Sequence, residues 1–317
     1  MGELTKAIEA FNKPICKLID AIKDGIGVTY EPNHLKKMAD AQSYAIEKIG
    51  EAIRNNSDLP IAYMGKTTEL NIDISDANSL VERTKQRFLF HETRKQQNLD
   101  AIATKTYMQL ENKTECSSDP IDQDWMTRFL SAAQDVSDDD LQNLWAKILA
   151  GEIIKPKSCS FRTIETLKNM SKDEFDIFLK ICPFICGEFI SEEGNLLGKY
   201  GITYGMILSL DECGLINSGV LISRDNIIKK NSVIFSTNKY TLVGTTKTNN
   251  YFKTSITVYP LTESGKKLYS LSECDINEGY LFEYIQALNK RYPNVVFNLY
   301  DNFTKEIINF RNSTDSK

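Results

Sequence analysis

The phrase Val136-Ser-Asp-Asp-Asp-Leu-Gln-Asn-Leu-Trp-Ala-Lys-Ile-Leu-Ala-Gly-Glu152 constrains the fold more than any other part of the chain. Acids at its start suit a helix N-terminus, where free backbone N–H groups favour negative charge. Ser137 is the expected N-cap, with Asp138, Asp139 and Asp140 in the first turn. Trp145, Ile148 and Leu149 recur at helical spacing and are expected to bury. Gly151 is expected to end the helix, and Pro156 to prevent its resumption. A second helix over about 160–169 follows. A third is capped by Ser171, with Glu174 at the capping-box position and Phe175, Phe178, Leu179 and Cys182 on its apolar face. This block is dense in packing signals and poor in chemistry. Consecutive helical aspartates point about 100° apart, so three in a row cannot converge on one metal ion.

Upstream, residues 3–28 read as two short amphipathic helices broken at Pro14, with Ile15, Leu18, Ile19 and Ile22 on one stripe and Gly25 and Gly27 as a stop. Balanced lysines and acids favour packing on a neighbouring helix over a membrane surface. A helix over about 33–55 follows, then a loop over 56–78. A long, polar helix over about 79–111 needs partners along Leu80, Phe88, Leu99, Ile102 and Met108. Residues 112–124 read as a linker.

Beyond residue 185 the apolar period shortens toward that of strands. Thr203 caps a helix over about 204–213 that stops at Gly214. Strands are expected at 232–236, 239–243 and 252–259, with Gly244–Asn250 as the turn between the last two. Leu261-Thr-Glu-Ser-Gly-Lys-Lys-Leu268 opens a helix with Thr262 as its cap. A helix over about 277–290 and a strand over 294–300 close the sequence before a tail, 311–317, expected to be disordered. The order of elements over about 200–271 resembles winged-helix domains. The expected fold is therefore mainly α with a small antiparallel β-sheet. It comprises a helical region (1–115), a helical domain (120–184) and a winged-helix-like α+β domain (185–300).

Composition excludes little and directs less. The chain of 317 residues is 41% hydrophobic and 26% charged, with a formal charge of −5, so no global pull toward nucleic acid or anionic membrane arises. Seven scattered cysteines without a Cys-x-x-Cys, and no basic-apolar opening, suggest a reduced cytoplasmic protein. Only His34 and His91 are available as imidazole bases, both on predicted polar helices. Cys182 and Cys186 share a face at i, i+4, but no second pair has ligand spacing, so they read as core thiols. Pro60-Ile-Ala-Tyr-Met-Gly-Lys-Thr67 ends like a phosphate loop but has proline where the first glycine belongs, and Gly194–Tyr200 is one residue short. No cofactor, metal or catalytic residue is expected, and the chain reads as a non-enzyme.

In the DNA-binding form of a winged helix, the recognition helix would be Tyr204–Cys213, which holds no Arg, Lys, Asn or Gln and ends in Asp211 and Glu212. Cations around it, including Arg224, Lys229, Lys230, Lys247 and Lys253, suit phosphate backbone contact at best. A protein-contacting or structural winged helix is the preferred reading. Partner contact is expected through the helices 33–55 and 79–111, by self-association or with another protein.

Three phrases resemble an uncharacterised bacterial family of unknown function. They are Lys13–Gly27 with Tyr30-Glu-Pro32, Arg94-Lys-Gln-Gln-Asn98, and Trp125–Phe129 through Leu141–Ile153 to Phe161-Arg-Thr163. The first phrase also resembles the opening of the Abi-alpha family, named for phage-abortive infection, although His34-Leu-Lys-Lys-Met departs from the basic stretch expected there. The resemblance implies a bacterial or prophage-borne protein, with phage defence as a setting. It offers no catalytic residues, and leaves Arg94, Arg162 and Trp145 as partner anchors or packing residues. It also admits an effector acting at membranes through the amphipathic N-terminus.

Overall fold

The computed structural model describes residues 13–41, 80–217, 222–228, 231–248 and 251–308. The chain divides between Phe161 and Arg162 into two units, a boundary within the 120–184 stretch. The expected helix before Pro14, the remainder of the 33–55 helix, the 56–78 loop with its phosphate-loop echo, and the tail lie outside the described residues. The fold is mainly α-helical with two small antiparallel sheets.

The first unit is helical. Helix α1 (Lys13–Ile26) carries Pro14 in its first turn, where a missing N–H costs nothing. It buries Ile15, Leu18, Ile19 and Ile22 against α4 (Gln123–Ala133) and α5 (Asp139–Ile154). Gly27, at φ +73°, ends it, whereas Gly25 lies inside it. A Cβ on Gly25 would stand 2.3 Å from Leu130 Cδ1, so glycine there lets α1 and α4 close together. Helix α2 covers residues 32–41 of the described chain. Helix α3 (Leu80–Leu110) has 31 residues and extends about 47 Å. Among the described side chains, only those of its second half enter the core, through Leu99, Ile102, Ala103, Tyr107 and Leu110.

Two expectations for α5 need correction. Its N-cap is Asp138, whose carboxylate accepts from Asp140 N and Leu141 N, and not Ser137. An aspartate one residue closer to the helix brings one charged oxygen, Oδ1, to 3.1 Å from both free N–H groups. The helix also passes through Gly151 and ends at Ile154, because Glu152 turns back to hold the following loop. Trp145 is fully buried, as expected, against Phe129.

The second unit opens on α6 (Phe161–Lys168) and α7 (Lys172–Ile181), the latter with the expected Ser171–Glu174 capping box. Short strands β1 (Ile185–Cys186) and β2 (Phe189–Ser191) lead to α8 (Tyr204–Glu212), capped by Thr203. Then come β3 (Ile222–Ile228), β4 (Ser232–Ser236), β5 (Tyr240–Thr246) and β6 (Phe252–Pro260). Helices α9 (Glu263–Ser272) and α10 (Glu278–Arg291) and strand β7 (Val295–Asp301) follow.

The strands form two sheets, ordered β1-β2-β6-β3 and β4-β5-β7. The expected hairpin of β5 with β6 is absent: β5 pairs with β4 and β7, and β6 with β2 and β3. Gly244 is accordingly not a turn residue. It lies within β5, where a Cβ would stand 2.6 Å from Ile228 Cδ1. An aromatic cluster of Phe184, Phe189, Tyr200, Phe235, Tyr280 and Tyr284 fills the core of this unit.

Candidate functional site

The first half of α3 is the least covered helix surface described. Residues 83–92 are exposed except Gln86, and Phe88, Leu89 and Phe90 are 64%, 50% and 42% accessible. At 100° per residue, Lys85, Phe88, Leu89 and Glu92 fall within an arc of about 100°. Arg83, Arg87, Phe90 and Arg94 occupy the opposite side. The Lys85–Glu92 stripe runs on, in the same angular position, into Leu99, Ala103 and Leu110, which are buried. One apolar seam is thus packed along the second half of the helix and open along the first. Helix α2 runs alongside the second half. Tyr30, just before it, meets Gln96 and Asp100, and Met38 meets Thr104, so α2 leads away from Phe88.

A polar cleft of about 450 Å³ lies where α2 begins, lined by Val28, Thr29, Tyr30, Glu31, His34, Gln96 and Asp100. Tyr30 donates to the Asp100 carboxylate, and the Gln96 amide donates to both, at 3.0 and 2.7 Å. Burial, then Asp100, push the Tyr30 phenol upward, so it stays a proton donor. Two of the resemblance phrases, Tyr30-Glu-Pro32 and Arg94–Asn98, meet at this cleft and next to it. The Gln96–Tyr30 bond joins the two phrases; beside it, Asn98 Nδ2 donates to Gln134 O at 2.8 Å, and Gln142 Nε2 to Val136 O at 2.9 Å.

The buried charges of this unit likewise serve the fold. Lys105, with 4% of its side chain accessible, pairs with Asp139. Glu152 accepts from the backbone N–H of Lys157, Ser158 and Cys159, at 2.6, 2.9 and 3.1 Å. Sequence reading missed Asn98, Lys105, Gln142 and Glu152. Only their place within otherwise apolar helical seams marks them.

The candidate contact residues are dispersed. Arg94 is exposed and reaches Ser137 Oγ at 3.4 Å. Arg162 borders a cleft of about 320 Å³ with Glu165, Glu174, Glu212 and Cys213. Burial, with Glu174 as a further cause, pushes the Cys213 thiol up to about 12. The backbone of Arg224 lies in β3 opposite Ile256, and Lys229 and Lys230 lie outside the described residues. Lys247 Nζ donates to Pro293 O at 2.6 Å, and Lys253 pairs with Asp225 at 2.7 Å. The solvent side of α8 shows Tyr204, Leu208 and Glu212.

His34 and His91 are exposed on helices. Cys182 and Cys186 are buried; a hydrogen bond with Cys274, then burial, push the Cys182 thiol up, and burial does the same for Cys186. Among the described residues, no group of three or more His, Cys, Asp or Glu could hold a metal ion, and no helix is long and apolar enough to cross a membrane.

No curated protein and no solved structure matches this chain. The Lys13–Gly27 and Tyr30–Pro32 phrases fall outside the stretch that matches a family model, and that match therefore lends the Abi-alpha likeness no support. That stretch, residues 82–197, runs from the exposed half of α3 through the central helical block and is similar to a family described as Protein of unknown function (DUF2806).

Proposed function

We propose that this chain is a non-catalytic interaction protein that engages a protein partner through the exposed half of α3, acting as a sensor, adaptor or regulator. The observation that carries this reading is the open seam of Lys85, Phe88, Leu89 and Glu92, continuous with a buried one. About three turns of helix with accessible apolar side chains gain little stability from their own hydrogen bonds and are held better when covered. Bacterial phage defence is the setting suggested by the likeness of the opening phrase, and the chemistry of α3 does not depend on it.

Two other readings find less support. Membrane action through the N-terminus would use the stripe Ile15, Leu18, Ile19 and Ile22, which is 0–3% accessible within the helical unit. Pulling it out would forfeit about 1.5–3 kcal/mol per side chain. DNA binding would use β3 and β6 as the wing stem beside α8. Lys253 of β6 pairs there with Asp225 of β3, Lys239, which precedes β5, pairs with Glu278, and the solvent side of α8 carries no cation. Duplex affinity that falls steeply with salt would favour DNA over the protein partner.

The test is a photo-reactive benzoylphenylalanine in place of Phe88, irradiated in cells producing the full chain. Adducts of defined mass are expected from this position and not from His34, which is exposed outside the seam. No adduct from position 88 would overturn the reading.

A further inference from the structure

We propose that the partner seated on the Lys85–Glu92 stripe is a second copy of this chain, its α3 laid antiparallel on the first with the two-fold axis between Phe88 and Leu89. The proposal rests on the reading of α3 as a contact surface and names the occupant. Lys85 and Glu92 are seven residues apart on one side of the helix, and Phe88 and Leu89 lie midway between them. A two-fold axis at that midpoint sets Lys85 against Glu92 of the partner subunit, and the reverse pair forms by symmetry. Phe88 and Leu89 then meet their counterparts at the centre. A parallel arrangement would instead oppose Lys85 to Lys85 and Glu92 to Glu92, which repel.

The remaining charges agree with this face. Arg83, Arg87 and Arg94 lie on the far side of the helix, so pairing along the stripe does not bring them together. The contact that must yield is the exposed pair of Lys95 with Glu92 at 2.9 Å, one turn apart. Such an exposed pair contributes little and exchanges readily. The Phe90 ring packs edge-on against His91 at 5.8 Å, away from the stripe, and is not needed in the contact. An isologous contact of this kind closes on itself, so assembly stops at two copies.

Sedimentation velocity on the full chain at about 100 µM tests the proposal, with circular dichroism to confirm that each variant is folded. Wild type is expected to sediment as a dimer. Leu89→Glu, Lys85→Glu and Glu92→Lys are each expected to weaken the dimer at least about tenfold, because the first buries an acid at the centre and the other two set like charges against each other on either side of it. The double variant Lys85→Glu/Glu92→Lys is expected to recover to within about threefold of wild type, since the swap restores both pairs. A wild-type monomer, or a double variant no better than the singles, overturns the antiparallel second copy. A wild-type monomer that still cross-links from position 88 to a different protein overturns this proposal and leaves the interaction reading standing. No adduct of any kind ends both.

Discussion

The carboxylate of Glu152 accepts a hydrogen bond from the backbone N–H of Cys159 at 3.1 Å, seven residues further on. The same carboxylate takes the N–H groups of Lys157 and Ser158, and Lys157 sits at φ +66°. One buried side chain thereby replaces the solvent that this turn would need. The turn in turn presents Cys159 O to Trp125 Nε1 at 2.8 Å. Glu152→Ala is expected to lower the unfolding free energy by about 3 kcal/mol, and Glu152→Gln by roughly half of that. Urea titration of the three proteins measures it, and an alanine variant within about 0.5 kcal/mol of wild type would refute it.

Gly265 belongs to a second such device. Thr262 Oγ1 accepts from Gly265 N and donates to Gly214 O at 2.6 Å, and Thr262 N donates to Leu215 O at 2.9 Å. A Cβ at Gly265 would lie 2.0 Å from Leu215 O, a backbone atom that cannot swing aside. Gly265→Ala should therefore cost about 3 kcal/mol or more, although alanine is the better helix former. Thermal melts compared with Gly205→Ala, where the Cβ has room, separate this close approach from a general helix effect.

Lys105 and Asp139 make an unequal pair, one with 4% and the other with 54% of its side chain accessible. Removing the acid leaves a buried ammonium, partly relieved by solvent, so Asp139→Asn is expected to cost about 1 kcal/mol. Lys105→Met removes the buried charge and keeps the length, and is expected to be neutral or stabilising. A methionine variant less stable than the asparagine variant would contradict this account.

Acid sensitivity has identifiable sources. Hydrogen bonds from Ser171 hold the Glu174 carboxyl below its usual range, and Lys239, then Tyr240, do the same for Glu278. A carboxyl with a depressed folded-state pKa adds stability that is complete above its unfolded value, near 4.3, and fades as pH falls through the folded value. The stability gap between wild type and Glu174→Gln should therefore narrow from pH 7 to about pH 3. A gap that stays constant would show that the capping box works without its charge.

Local rules reached much of this architecture. The caps at Ser171, Thr203 and Thr262 stand where the sequence places them, because a side chain bonding a backbone N–H three residues on is a local event. The burial of Trp145 and of the α1 stripe follows from helical spacing. Strand pairing was not legible. The alternation of β5 suits β6 as well as β4 and β7, and the choice depends on Ile228 packing over Gly244 from a distant strand. Nor does any spacing announce that Glu152 serves a turn rather than a helix stop. The open half of α3 is legible only in part: a helix this long and polar needs a partner along Phe88, but no spacing marks Leu89.

Hydrogen–deuterium exchange of the amides of residues 83–95, read over a dilution series of the full chain, tests the central claim most directly. The account predicts that this half of α3 is protected at high concentration and exchanges progressively faster on dilution, while residues 98–110 stay protected throughout. Equal and rapid exchange of residues 83–95 at every concentration would contradict it.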